Sequence, residues 1–331
     1  MSDAEGAQAA ARPTAWWTGL TARQWLGYAL AAGFWGWLVL RWVNDWFLPP
    51  GVGTGRGQPF IAVAPIRAAA ASMQATAAAG GPYAVVAGWL AGLLSALAFV
   101  VPALPALAEG VWLTLVLTVA SITLAFPIAV LLSTARVYGG AGVRWLALAY
   151  TELIRGTPLL AQLFVLFFGL GLTTYIRAVP GVGTGFIPDQ AIWVAVIGFT
   201  INSSAYQSEY LRSALQSVRP GQLTAARAIG LSQLGGLRYV VLPQSFRYAI
   251  PGWSNELVYL IKYSSLAAFI TVPELFFRAQ AIASTTFRYT AMFTLVALFY
   301  LAIVLSASHV MHWVERTTAI PGIGGSRVRQ L

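Results

Sequence analysis

Apolar stretches of helical length recur along this chain, and short polar connections between them carry most of its arginines. The apolar segments are about 26–46, 83–104, 111–134, 157–174, 191–210, 250–272 and 291–312. Each is near the roughly 20 residues that cross a bilayer as a helix. Backbone groups in hydrocarbon must be paired within their own segment, so helices are expected. The run from Tyr83 to Ala135 holds one charge, Glu109, and Pro102 and Pro105 are expected to break it into two spans. Thr157–Ile176 and Gln190–Ser208 carry no charged side chain. Pro49–Gly81 is ambiguous. Its arginines (Arg56, Arg67), its glycine run and its alanine-rich stretch fit either a surface-lying helix or a partly buried one.

Composition turns this pattern into a class. Of 331 residues, 58% are hydrophobic and 9% charged, against roughly 25% charged in a soluble domain. A soluble fold could not cover itself with so few polar groups, so the pattern predicts a polytopic membrane protein. The net charge of +10 rests on arginine, with Lys262 as the single lysine. The arginines cluster between spans, as the positive-inside rule expects, and no aromatic–basic interleaving suggests nucleic acid. Cysteine is absent, which removes disulfides, thiol catalysis and Cys-ligated metal. The acidic start, MSDAEGAQAA, does not read as a signal peptide.

Arg136 and Arg144 follow the third segment, and Arg316, Arg327 and Arg329 follow the last. A larger group, Arg212, Arg219, Arg227, Arg238 and Arg247, lies between the fifth and sixth segments with no Asp or Glu among them. These connections are expected to be cytoplasmic. Seven spans then put the N-terminus outside, the 47–82 loop inside and the C-terminus inside.

The five-arginine loop holds the sequence GQLTAARAIG, Gly221–Gly230, followed by VVLPQ, Val240–Gln244. Pro220 is suited to start a short helix. Leu223, Ala226 and Ile229 follow at helical spacing, and Gly230 is a natural stop. Gly235 and Gly236 loosen the next stretch, and Pro243 is expected to end it. A short helix, small on one face and basic on the other, suits a groove in a soluble partner. An interfacial helix held by lipid headgroups is the plainer reading. A structured loop of this kind points to a transporter subunit driven by a partner.

The loop also carries a resemblance. Thr224-Ala225-Ala226, Gly230, Val240 and Leu242-Pro243 keep the spacing of the cytoplasmic motif in permease subunits of bacterial polar amino acid ABC importers, the histidine/glutamine/glutamate group. Thr224 stands where that family usually has Glu. TLVLTVASITLAFPIAVLL (Thr114–Leu132), TELIRGTPLLAQLFVLFFG (Thr151–Gly169), SSAYQSEYLRSALQSVRPGQ (Ser203–Gln222) and PGWSNELVYLIKYSSLAAFI (Pro251–Ile270) resemble its segments in the same order. The resemblance covers roughly residues 107–315. It implies an all-α polytopic fold with a five-span permease core, to which residues 1–106 add about two N-terminal spans and a polar loop. Residues 316–331 form a cytoplasmic tail. It further implies that Gly221, Thr224, Ala225, Ala226, Gly230, Leu242 and Pro243 couple the chain to a separate ATPase. The implied partners are two ATP-binding subunits that hold ATP and Mg, a second permease, which is this chain again or a homologue, and a periplasmic or lipid-anchored substrate-binding protein. The implied place is the bacterial inner membrane and the implied cargo an amino acid. No cofactor is expected in this chain itself.

Charged and polar residues near the spans are the remaining candidates. Glu152 with Arg155, and Glu209 with Arg212, are three apart at an expected cytoplasmic edge. They are either local pairs that neutralise charge or a gate or strut against the ATPase. Asn255, Glu256, Lys262, Ser264 and Ser265 lie in an otherwise apolar run, where charge normally faces protein or a water-filled path. Gln162, Asn202, Ser203 and Gln207 read first as helix–helix contacts. His309 and His312, with only Glu315 nearby, make a poor metal site. There is no GxxxxGK[ST] phosphate loop, and Gly51, Gly53, Gly55 and Gly57 lack the strand–turn–helix context a phosphate cradle needs. The chain is therefore expected not to hydrolyse ATP or to be an enzyme. The alternative is a self-sufficient secondary transporter or channel for small polar solutes. It would call for mid-membrane acidic residues, which are nearly lacking.

Overall fold

The structure, a computed structural model, describes residues 21–49, 51–184, 187–219 and 221–318. Pro220, Arg327 and Arg329, and most of the expected tail, lie outside the described residues. Among those described, the chain is all-α with no strand, in line with the expected class. Helix α1 (Ala22–Trp46) starts at a capping box made by Thr21 and Gln24, which satisfies two of the backbone groups a helix start leaves open. Helix α2 (Val63–Ala78) resolves the ambiguous stretch: an extended loop leads into an alanine-rich helix that packs along the first half of α3 (Ala84–Tyr138).

Helix α3 departs from expectation. Segments 83–104 and 111–134 are one continuous helix of 55 residues, with Pro102 and Pro105 inside it. A proline removes one helical hydrogen bond and crowds the turn before it. That local penalty is outweighed here because Ala103, Leu107 and Ala108 are buried against Leu38, Leu275, Met292 and Val296. At 1.5 Å per residue the helix is about 80 Å long, against ~30 Å of hydrocarbon. Its N-terminal part, with α2, therefore extends past one membrane face.

The core continues through α4 (Ala141–Arg155), which meets α5 (Leu159–Phe164) at a bend of 100°. A π-helical turn (Val165–Gly169) and α6 (Leu172–Arg177) follow, then α7 (Gln190–Ser217), capped by Asp189. The arginine-rich loop contains α8 (Gly221–Ala228) and α9 (Gln233–Gly236). Helix α10 (Leu242–Tyr263) runs on through a 3-10 turn (Ser264–Ile270) to α11 (Leu275–Thr286) and α12 (Tyr289–Thr318). Pro243, expected to end an element, instead stands in the first turn of α10, where its missing N–H has no cost. Glu274 is fully buried and accepts from the backbone N–H of Phe276 and Phe277 at 2.9 and 2.8 Å, which fixes the start of α11. Gly110 lets α3 and α11 touch: a Cβ there would stand 2.7 Å from Leu275 Cα.

Helix α1 is antiparallel to α12. Tyr28 Oη lies 3.2 Å from His309 Nε2, Trp35 Nε1 donates to Ser306 Oγ at 2.9 Å, and further along Trp42 Nε1 donates to the Ala108 carbonyl at 2.8 Å. The start of α1 thus lies at the same end as Arg316. With the arginine-rich end cytoplasmic, this reverses the expected side of the N-terminus and of the 47–62 loop. Reporter fusions at residues 15, 60 and 325 should therefore read inside, outside and inside. An outside reading at 15 with an inside reading at 60 would restore the seven-span order.

Candidate functional site

The inner end of the bundle is built in two layers. The lower layer is the loop around α8. Leu237 and Val241 are buried with Leu215 and Val218, and Val137, Tyr138 and Leu223 pack against them. The loop is thereby anchored on the ends of α3 and α7. Ala226 is buried and faces Gly236, so of the expected docking residues it holds the loop rather than presenting it. Leu242 packs inward in the same way. Gly221, Thr224, Ala225, Gly230 and Pro243 are exposed. Gly230 has φ of 93° and ends α8. Sequence reasoning placed Ile229 on one face with Leu223 and Ala226. It is instead 81% exposed, and Leu234 and Tyr239 are also outward. Arg219, Arg227, Arg238 and Arg247 are exposed too. The exposed side of the loop thus carries both apolar side chains and arginines.

The upper layer is a charge cluster on Glu209 of α7. Arg212 Nε and Nη2 donate to one carboxylate oxygen at 3.0 and 2.9 Å. Arg136 of α3 pairs with the other oxygen, and Arg155 of α4 approaches it at 3.8 Å. The pair expected between Glu152 and Arg155 does not form. Arg155 leans across to α7 instead, with its guanidinium 5.4 Å from the Tyr206 ring centre. In the sequence Arg136 is an orientation signal only. Nothing in its spacing could link it to a residue 73 positions away. The cluster ties α3, α4 and α7 together above the anchored loop.

Nearer the middle of the bundle the polar candidates divide into two groups. Glu256 is 4% exposed. It accepts from Ser203 Oγ at 2.7 Å, and Gln207 bridges Ser203 Oγ and the Ile122 carbonyl at 3.0 and 3.1 Å. Asn202 donates to Gln162 at 3.0 Å. This is a buried cross-link of α3, α5, α7 and α10, as expected for Gln162, Asn202, Ser203 and Gln207, and Glu256 joins it rather than facing a path. Ser264 is also buried, with its hydroxyl donating to the Ile261 carbonyl at 2.8 Å. Asn255, Tyr259 and Lys262 form the second group, on the exposed face of α10. Lys262 Nζ stands 5.1 Å from the Tyr259 ring centre. Lys262 and Ser265 line a cavity of about 320 Å³ with Phe276, Phe293 and Tyr300. His309 and His312 are taken up by Tyr28 and the Ser308 carbonyl.

The family described as binding-protein-dependent transport system inner membrane component matches residues 125–320. The chain belongs to this family. It is a multi-pass permease component of the bacterial inner membrane, and its matched region spans the loop, the Glu209 cluster and the α10 face. The permease is 40% identical over 215 residues to the probable amino-acid ABC transporter permease protein YckA of Bacillus subtilis, covering 65% of this chain and 90% of that one. It is 34% identical over 220 residues to the glutamine transport system permease protein GlnP of Escherichia coli K12, covering 66% and 95%. Among solved structures, an amino acid ABC transporter crystallised with histidines is similar at 31% identity and a TM-score of 0.54, covering 64% of the permease and 94% of that chain. These matches each leave about a third of the permease uncovered.

Proposed function

We propose that the permease carries polar amino acids inward, driven by ATP hydrolysed in separate subunits. The 40% identity with an amino-acid permease over two thirds of the chain supports this most directly. Residues 107–315 act as the transport core, with residues 1–106 as an added N-terminal unit and 316–331 as a tail. Two ATP-binding subunits hold ATP and Mg, and one of them docks on the surface formed by Gly221, Thr224, Ala225, Ile229 and Gly230. A second permease, identical or homologous, faces α10, and an external binding protein delivers the solute. The Glu209 cluster acts as a strut that passes motion of the docked loop to α3, α4 and α7.

Asn255, Tyr259, Lys262 and Ser265 line the path. A lysine exposed on an apolar helix has no place against lipid, and a water-filled seam between two permeases accommodates it. Its ammonium, beside a tyrosine ring, matches the carboxylate of an amino acid. A self-sufficient secondary transporter fits less well, because Glu256 and Glu274, the buried acidic residues of the core, are both sealed inside the bundle.

Reconstituted vesicles holding the whole complex, its binding protein and internal ATP test the reading. They should accumulate a labelled polar amino acid only with both ATP and binding protein. Lys262→Gln should raise KM by roughly tenfold or more, the scale of one lost charge-assisted contact. Ser264→Ala should leave uptake near normal, since that hydroxyl is buried away from the path and donates to the Ile261 carbonyl. Uptake that persists without ATP would return the permease to the self-sufficient class.

A further inference from the structure

The sharpest break in the core lies between α4 and α5, where the chain turns by 100° over Gly156, Thr157 and Pro158. In an unbroken helix the N–H of residue 158 would donate to the carbonyl of residue 154. Proline has no N–H, so the Ile154 carbonyl loses its backbone donor. Gln162 of α5 replaces it. Its Nε2 donates to the Ile154 carbonyl at 2.7 Å, and lies 3.1 Å from the Thr157 carbonyl and 2.8 Å from Thr157 Oγ1. Thr157 Oγ1 in turn donates to the Leu153 carbonyl at 2.9 Å. The other end of the amide, Oε1, accepts from Asn202 of α7 at 3.0 Å. One side chain therefore closes the break and ties it to α7.

The two sides of the break are held differently. Leu159 and Leu163 of α5 belong to a buried cluster with Val194, Val196 and Phe199 of α7. Gly198 makes room for Leu163: a Cβ there would stand 2.6 Å from Leu163 Cδ2. Helix α4 is seated more lightly. Its buried residues are Ala147 and Thr151, while Val143, Trp145, Leu146 and Leu153 are exposed. Polar side chains reach from it to α7. Tyr150 Oη lies 3.0 Å from the Ile201 carbonyl and 2.7 Å from Ser204 Oγ, and Arg155 stands beside Glu209. An element with few buried contacts opens at low cost. Thr157 and Pro158 are exposed, so water can take up the carbonyls that Gln162 releases.

We propose that α4 is a movable arm of the inner end, turning about the Gly156–Pro158 break, and that Gln162 is the positioning residue that latches it in the state seen here. The arm moves when access switches from one side of the membrane to the other, a role that rests on the transport reading. Packing keeps α5 fixed on α7 meanwhile.

The chain has no cysteine, so spin labels can be attached at Leu146→Cys on α4 and Phe168→Cys beyond α5 without removing native thiols. Both positions are exposed. The otherwise wild-type permease alone, in lipid nanodiscs, should show one dominant label distance. Gln162→Met keeps the length of the side chain and none of its hydrogen bonds. It should add a second distance and raise its ratio to the first by roughly fivefold or more, the scale of one neutral hydrogen bond. Asn202→Ala cuts only the α7 end of the latch and should raise the same distance by less, and it carries the test if Gln162→Met does not fold. In the whole complex, ATP should move the wild-type pair toward that second distance, and Gln162→Met should raise ATPase activity in the absence of binding protein. An unchanged distance in both variants, even with a lowered melting temperature, would make Gln162 a staple of the fold and overturn the latch. In a complex that takes up amino acids, a wild-type distance that is the same with and without ATP would overturn the arm. Absence of ATP-driven uptake would remove the transport reading instead, and the label distances of the permease alone would still decide the latch.

Discussion

Replacing Glu209 with glutamine should weaken the permease more than any other single charge change at its cytoplasmic end. Glu209 is the carboxylate facing Arg136, Arg155 and Arg212. Its side chain is 14% exposed and that of Arg136 is 12%, so both have given up most of their water. Removing the shared carboxylate leaves guanidiniums from three helices repelling one another in a poorly solvated place. Breaking a pair of this kind costs about 3–5 kcal/mol. Arg155→Gln is the contrast. That arginine is 36% exposed and 3.8 Å from Glu209, and such a pair is worth about 1 kcal/mol or less. Thermal unfolding in detergent should therefore fall by many degrees for Glu209→Gln and by few for Arg155→Gln. Similar, small shifts for the two variants would remove the strut. If Glu209→Gln keeps its stability but raises ATPase activity in the absence of substrate, the cluster is a gate instead.

The class of the fold, the position of most spans and the α8 loop were legible because each depends on local pattern. Hydrophobic run length marks a helix in lipid, and the spacing from Thr224 to Pro243 marks the loop. The failures share a cause, which is that partners distant in sequence decide the outcome. Pro102 and Pro105 should break a helix by local rules, but burial of Ala103, Leu107 and Ala108 against α1, α11 and α12 keeps it whole. Glu152 and Arg155 should pair along α4, but the carboxylate of α7 and the ring of Tyr206 draw Arg155 away. Glu256 and Lys262 are six positions apart on one helix and looked alike in sequence. They point to different environments because α7 supplies Ser203 to Glu256, whereas Lys262 lies on the exposed side beside the Tyr259 ring. The sense of α1 was lost for a related reason. Counting spans by charge treated 83–104 as a crossing, and one miscounted segment reverses everything before it.

Gly230→Val should abolish coupling while leaving the permease folded. Gly230 has φ of 93°, a conformation that a β-branched residue adopts only at a cost of about 1–3 kcal/mol. A Cβ there would meet nothing within 4 Å, so the penalty is carried by the backbone and not by a clash. The simplest relief is for residue 230 to return to negative φ, which sends the chain out of α8 in another direction. The inner side of the loop, with Leu237, Val241 and Leu223 against α3 and α7, is held by separate packing and should survive. The displaced part is the exposed turn that carries Ile229. Purified Gly230→Val should therefore keep the wild-type melting temperature within a few degrees, retain far less ATP-binding subunit, and lose most ATP-driven uptake. Gly230→Asn should recover much of the loss, because asparagine tolerates left-handed backbone better than other side chains. If valine and asparagine are equally harmful, the demand at this position is for a small surface pressed against the partner. If both are harmless, the docking surface lies elsewhere on the loop, with Leu234 and Tyr239 as the next residues to change.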